Sequence, residues 1–96
     1  MSTGGAVMAR SLRSPGHLAL MQVLRETRQK KGLTQADLAA RLTRPQSYVA
    51  KIEGGERRLD VVEFLDLADA MGLRPADLLD EVVTRMGDSS LRTTSG

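Results

Sequence analysis

Thr34–Glu56 reads TQADLAARLTRPQSYVAKIEGGE, two short amphipathic helices separated by a break too tight for a flexible loop. In TQADLAARL, Leu38, Ala39 and Leu42 share one face. In PQSYVAKIE, Val49 and Ile52 turn inward while Gln46, Ser47, Ala50 and Lys51 turn out. Helices this short are unstable alone, so neighbouring helices must hold them at a fixed angle. The outward face of the second then offers an amide, hydroxyls and an ammonium, groups that suit base edges and phosphates. Nucleic-acid binding is the function to test.

Three further helices flank this pair. The first is expected from about His17 to Lys31, with Leu20, Met21, Leu24 and Thr27 inward and Gly32 as its stop. Thr34 caps the second helix, with Asp37 placed for a capping box. Pro45 suits the first position of the third helix, which ends at Gly54-Gly55. Asp60 and Glu63 make a second capping-box pair, opening a fourth helix that runs to Met71 and stops at Gly72. Its inward residues are expected to be Val62, Leu65, Ala68 and Phe64. Pro75 opens a fifth helix carrying Leu78, Leu79, Val82, Val83 and Met86 on two adjacent stripes. One stripe closes the core and the other is expected to meet a partner. No strand and no internal repeat is legible, so the fold class is all-α with five helices.

The 96-residue chain is expected to hold one domain, residues 17–86, between disordered tails at 1–16 and 87–96 that are rich in Gly, Ser and Thr. About 70 residues bury only a modest core, and a second copy often adds stability to a domain of that size. Cysteine is absent, which excludes disulfides and thiolate metal sites. No apolar run nears the roughly 20 residues that cross a bilayer, and the start lacks a secretory h-region. A cytoplasmic protein without a membrane partner is expected.

Charge is split along the chain. The first 58 residues carry eleven basic and four acidic side chains, net +7, and the remainder three basic and eight acidic, net −5. One end is drawn to polyanions and the other is repelled. Asp60, Glu63, Asp66 and Asp69 form an acidic face on the fourth helix, with no oxygen-rich turn to make a hard-cation site. His17 is the sole histidine, with no second ligand at metal spacing. No Gly-rich phosphate loop or nucleophile elbow is present. The residues therefore point away from an enzyme, a metal or a cofactor.

The segment RETRQKKGLTQADLAARLTRPQSYVAKIEGGERRLDVVEFLDLADAMGLRPADLL resembles the XRE-type helix-turn-helix family of phage repressors, Cro and small bacterial regulators. Its specific pieces are GLTQADLA, QSYVAKIEGGER and the spacing to LADAMGL. The resemblance implies a five-helix repressor-like domain whose third helix enters the major groove of double-stranded DNA. It implies base contacts from Gln46, Ser47 and Lys51, apolar contacts from Pro45 and Ala50, and a base or phosphate contact from Tyr48. It implies a phosphate contact from Gln35 and an internal ion pair between Arg28 and Glu53, while Arg44, Arg57 and Arg58, flanking the third helix, are expected to clamp phosphates. A homodimer on a near-palindromic operator is expected, joined through Leu79, Val82, Val83 and Met86, and acting as a repressor.

Two departures from the family's pattern stand out. Thr43 occupies the turn position where glycine is usual because φ is positive, so the turn is either strained or differently routed. Arg44 and Arg74 precede helix-opening prolines where Ser or Thr is the usual cap. Two other readings keep the fold. One is a DNA-binding antitoxin that also engages a toxin protein. The other is a protein-docking adaptor that has lost DNA, which would leave the outward Gln46 and Lys51 without a purpose.

Overall fold

Ser14 caps the first helix, which begins at Pro15, two residues earlier than the apolar pattern suggests. In the computed structural model, which describes residues 14–87, its side chain accepts the His17 N–H at 3.1 Å. Pro15 then takes the first helical position, where a missing N–H costs nothing. Helix α1 spans Pro15–Lys30, so Ser14, Pro15 and Gly16, expected in the tail, belong to the helix start. The rest of both expected tails, 1–13 and 88–96, lies outside the described residues.

Helix α2 spans Gln35–Arg41 behind a complete capping box. Asp37 N–H donates to Thr34 Oγ1 at 3.0 Å and Thr34 N–H to Asp37 Oδ2 at 2.9 Å. Thr43 takes φ 57°, so the turn follows the usual left-handed route at the cost of a β-branched residue there. Pro45, extended at φ −68° and ψ 155°, is the cap residue of α3, Gln46–Glu53, so the helix begins one residue later than expected. Asp60 and Glu63 cap α4, Val61–Ala70, and α5 runs Pro75–Arg85.

Helix α2 packs on α3, α1 packs on both α3 and α5, and α4 packs on α5. The core between them is built from Val23, Leu24, Leu38, Val49, Ile52, Leu67, Met71 and Leu78 among others. Each fully buried Leu contributes about 1.5–3 kcal/mol. No strand occurs among the described residues.

Helix α4 corrects the expected pattern. Val62 and Leu65 are 65% and 43% exposed, while Leu67, Ala68 and Met71 are buried and Phe64 is half-buried. The stripe Phe64, Leu67, Ala68, Met71 follows the same three-and-four spacing and wins because it is the one facing α5. In α1, Ala19 and Val23 lie deeper than Leu20, Met21 and Thr27, which are half-buried.

Candidate nucleic-acid interface

The two sides of α3 have opposite fates. Val49, Ile52 and Glu53 are buried, whereas Pro45, Gln46, Ser47 and Lys51 are exposed and Ala50 is half-buried. The outward rim is therefore presented by a helix whose back is fixed in the core. Gly55, at φ +76°, ends this element close against α1, where a Cβ would stand 2.9 Å from Met21 Sδ. The positive φ is what favours glycine here, since the flexible Met21 side chain can move aside.

A buried ion pair anchors the inner end of α3. Arg28 Nε donates to Glu53 Oε2 at 2.7 Å and Nη2 to Oε1 at 3.0 Å, while Nη1 donates to the Leu33 carbonyl at 2.8 Å. Arg25 adds a longer contact, its Nε 3.7 Å from Glu53 Oε1. The polar chain continues outward. Gln35 Nε2 donates to Glu53 Oε1 at 3.0 Å, and Gln46 Nε2 donates to Gln35 Oε1 at 3.5 Å. Side chains thus connect α1 through α2 to the first residue of the α3 rim. Gln35 is half-buried, and its amide bonds Glu53 on one side and Gln46 on the other.

Tyr48 packs largely inward. Only 8% of it is exposed, and burial pushes its phenol pKa upward. The ring is a platform: Arg44 Cζ lies 4.5 Å and Arg57 Cζ 4.7 Å from its centroid. Arg57 is held further by Glu63, through Nη1 to Oε1 at 3.0 Å and Nη2 to Oε2 at 2.7 Å. That pairing first, and the Asp60 N–H second, hold the Glu63 carboxyl at about 2. Arg44 stays exposed at the start of α3.

Arg58 reaches a different place. It lines a groove of about 540 Å³ with Ser14, Gly16, His17, Leu59, Val61, Leu65 and Leu79. Burial first, and the Arg58 charge second, lower the His17 pKa. His17 has no second metal ligand: no group of three or more His, Cys, Asp or Glu suited to a metal occurs among the described residues. No described helix is long and apolar enough to cross a membrane.

The expected partner stripe on α5 is split. Val82 is only 6% exposed and belongs to the core, and Met86 is half-buried with its methyl against Gly16. Both also line the groove beside Leu79. Leu79 is 53% exposed and Val83 half-buried. Together with Val61, Val62 and Leu65 of α4, Leu79 forms an exposed apolar set that the sequence pattern had assigned to the core in part.

Comparison with known proteins agrees with this geometry. A family model for a helix-turn-helix domain matches residues 19–82. An XRE-family like protein from Pseudomonas syringae pv. tomato is 39% identical and superposes with a TM-score of 0.68, over 88% of this chain and 96% of that one. The chain is an XRE-type helix-turn-helix regulator. The HTH-type transcriptional regulator y4dJ of Sinorhizobium fredii is 36% identical over 52 residues, 54% of this chain and 68% of y4dJ. The restriction-modification controller protein C.AhdI from Aeromonas hydrophila is 39% identical with a TM-score of 0.60, covering 65% of this chain and 94% of that one.

In this XRE-type regulator α2 and α3 are the helix-turn-helix, and the family's activity is DNA binding in transcription regulation. Two features of its site escaped the sequence reading. The first is Glu63 as the partner of Arg57, six residues apart with a helix start between them. A carboxylate already explained by a capping box gives no sign of a second bond. The second is the burial of Tyr48, for which the signal was present: Tyr48, Val49 and Ile52 follow helical core spacing.

Proposed function

We propose that this regulator binds double-stranded DNA site-specifically, as a homodimer that represses transcription by occupying a near-palindromic operator. The observation that carries the reading is the α3 rim. Gln46, Ser47 and Lys51 are exposed on a helix whose opposite side is fixed by Val49, Ile52 and the Arg28–Glu53 pair. With α3 in the major groove, the Gln46 amide suits adenine and Lys51 suits the acceptors of guanine. Pro45 and Ala50 offer apolar surface to a thymine methyl. Arg44 and Arg57 take phosphates at the flank, and α2 lies across the backbone.

Doubling follows from numbers and from surface. One α3 supplies few base contacts, each about 1–3 kcal/mol. The exposed Val61, Val62, Leu65 and Leu79 are the surface through which a second copy would join. Two recognition helices then meet successive major grooves roughly 34 Å apart.

Selection of bound duplexes from a random pool tests both parts. The expected result is a motif with two related half-sites about one helical turn apart. A chain that enriches no motif and retards no duplex at low salt would falsify the reading and favour a protein-docking role.

A further inference from the structure

Glu63 is an acidic residue beside a surface read as binding a polyanion, and by charge alone it should hinder that binding. Its surroundings point the other way. The two parallel bonds from Arg57 fix the plane of the guanidinium, and a third bond, Arg57 Nη1 to the Arg58 carbonyl at 2.9 Å, fixes its position. Glu63 cannot swing. Its Oε1 also accepts the Asp60 N–H at 3.0 Å, while its own N–H donates to Asp60 Oδ1 at 2.7 Å. The capping box that starts α4 thus doubles as the anchor of an arginine beside α3.

We propose that Glu63 is a positioning residue for DNA binding, holding Arg57 over Tyr48 so that Arg57 and Arg44 form a preset seat for backbone phosphate. The inference rests on DNA binding through α3 and names a determinant of it that touches no DNA. Both guanidiniums lie over one buried ring, at 4.5 and 4.7 Å. The Glu63 carboxylate feels the charge of both arginines and offsets the positive charge gathered around the ring. A guanidinium has five N–H donors. Described residues take up three of those of Arg57, on Glu63 and the Arg58 carbonyl, so two remain for an anion. Because these side chains are already ordered, less rotamer freedom is lost when phosphate arrives.

The test uses the full chain and duplexes that the wild-type chain enriches from a random pool, with mixed-sequence DNA at low salt beside them. Glu63→Gln keeps the capping box, since glutamine serves at that position, and makes the chain more positive. Affinity is nevertheless expected to fall about tenfold, and the salt dependence to flatten by the share of one phosphate. In an Arg57→Ala background the same change should cost nothing further. Arg57→Lys, which leaves Glu63 and the cap untouched, should weaken binding too because an ammonium cannot form the two-bond fork. It decides the matter should Glu63→Gln unfold by circular dichroism. Binding by Glu63→Gln as tight as wild type or tighter overturns the proposal. So does an equal loss in the Arg57→Ala background. A wild-type chain that binds neither probe removes the DNA reading itself, a different result from a bound wild type with indifferent variants.

Discussion

Arg28 of α1 and Glu53 of α3 meet in a two-bond ion pair, 2.7 and 3.0 Å, with 8% and 4% of the residues exposed. The pair ties the first helix to the end of the recognition helix. Removing one partner leaves a charge in a low-dielectric interior.

Arg28→Met is therefore expected to destabilise the domain by about 3–5 kcal/mol. Urea unfolding followed by circular dichroism reads this directly. A loss below about 1 kcal/mol, the range of exposed pairs, would show that the pair is solvated and that the anchor lies elsewhere.

Thr43 holds φ 57° at the turn between α2 and α3. Glycine adopts that conformation without the Cβ clash, so Thr43→Gly is expected to stabilise the fold by about 0.5–1 kcal/mol despite the added freedom of the unfolded chain. A lowered melting temperature would mean the threonine side chain contributes more than the strain removes.

Acid should loosen α4 through Glu63. Its pKa falls from 4.5 to about 2 on folding, held down by Arg57 and then by the Asp60 N–H. The stability it contributes is complete above pH 4.5 and is lost as pH falls toward about 2. Glu63→Gln should flatten the wild-type decline in that window. Parallel curves for the two chains would place the acid sensitivity in other carboxylates.

Lys51 and Arg44 should separate by role. Lys51→Ala is expected to weaken selected duplexes and relax preference at one base position, by about 1–3 kcal/mol. Arg44→Ala is expected to weaken all sequences alike and to reduce the salt slope by about one. Affinities across a randomised duplex library distinguish them, and indistinguishable profiles would undo the assignment.

Self-association should depend on the exposed face of α4 and not on Val82. Leu65→Asp, at a residue 43% exposed, is expected to shift sedimentation toward monomer with the melting temperature little changed. Val82→Ala, at a residue 6% exposed, is expected to destabilise the monomer by about 1–3 kcal/mol without a specific effect on assembly. A Leu65→Asp chain that sediments as wild type at every concentration moves the interface elsewhere.

Much was legible in the one-dimensional pattern because its signals are local. Capping pairs at Thr34–Asp37 and Asp60–Glu63, prolines at 45 and 75, and glycines at 32 and 72 punctuate helices through bonds within four residues of themselves. The outward rim of α3 was legible for the same reason, since a 3.6-residue period separates inward Val49 and Ile52 from outward Gln46 and Lys51. Tertiary structure decided what periodicity leaves degenerate. Helix α4 has two apolar stripes, and only the approach of α5 selected Leu67 and Met71 over Val62 and Leu65. Likewise an arginine in a connection looks the same whether solvated or pinned, until folding brings Glu63 and the ring of Tyr48 beside Arg57. Local bonds write the helices; which faces and charges meet depends on distances that exist only once the chain is packed.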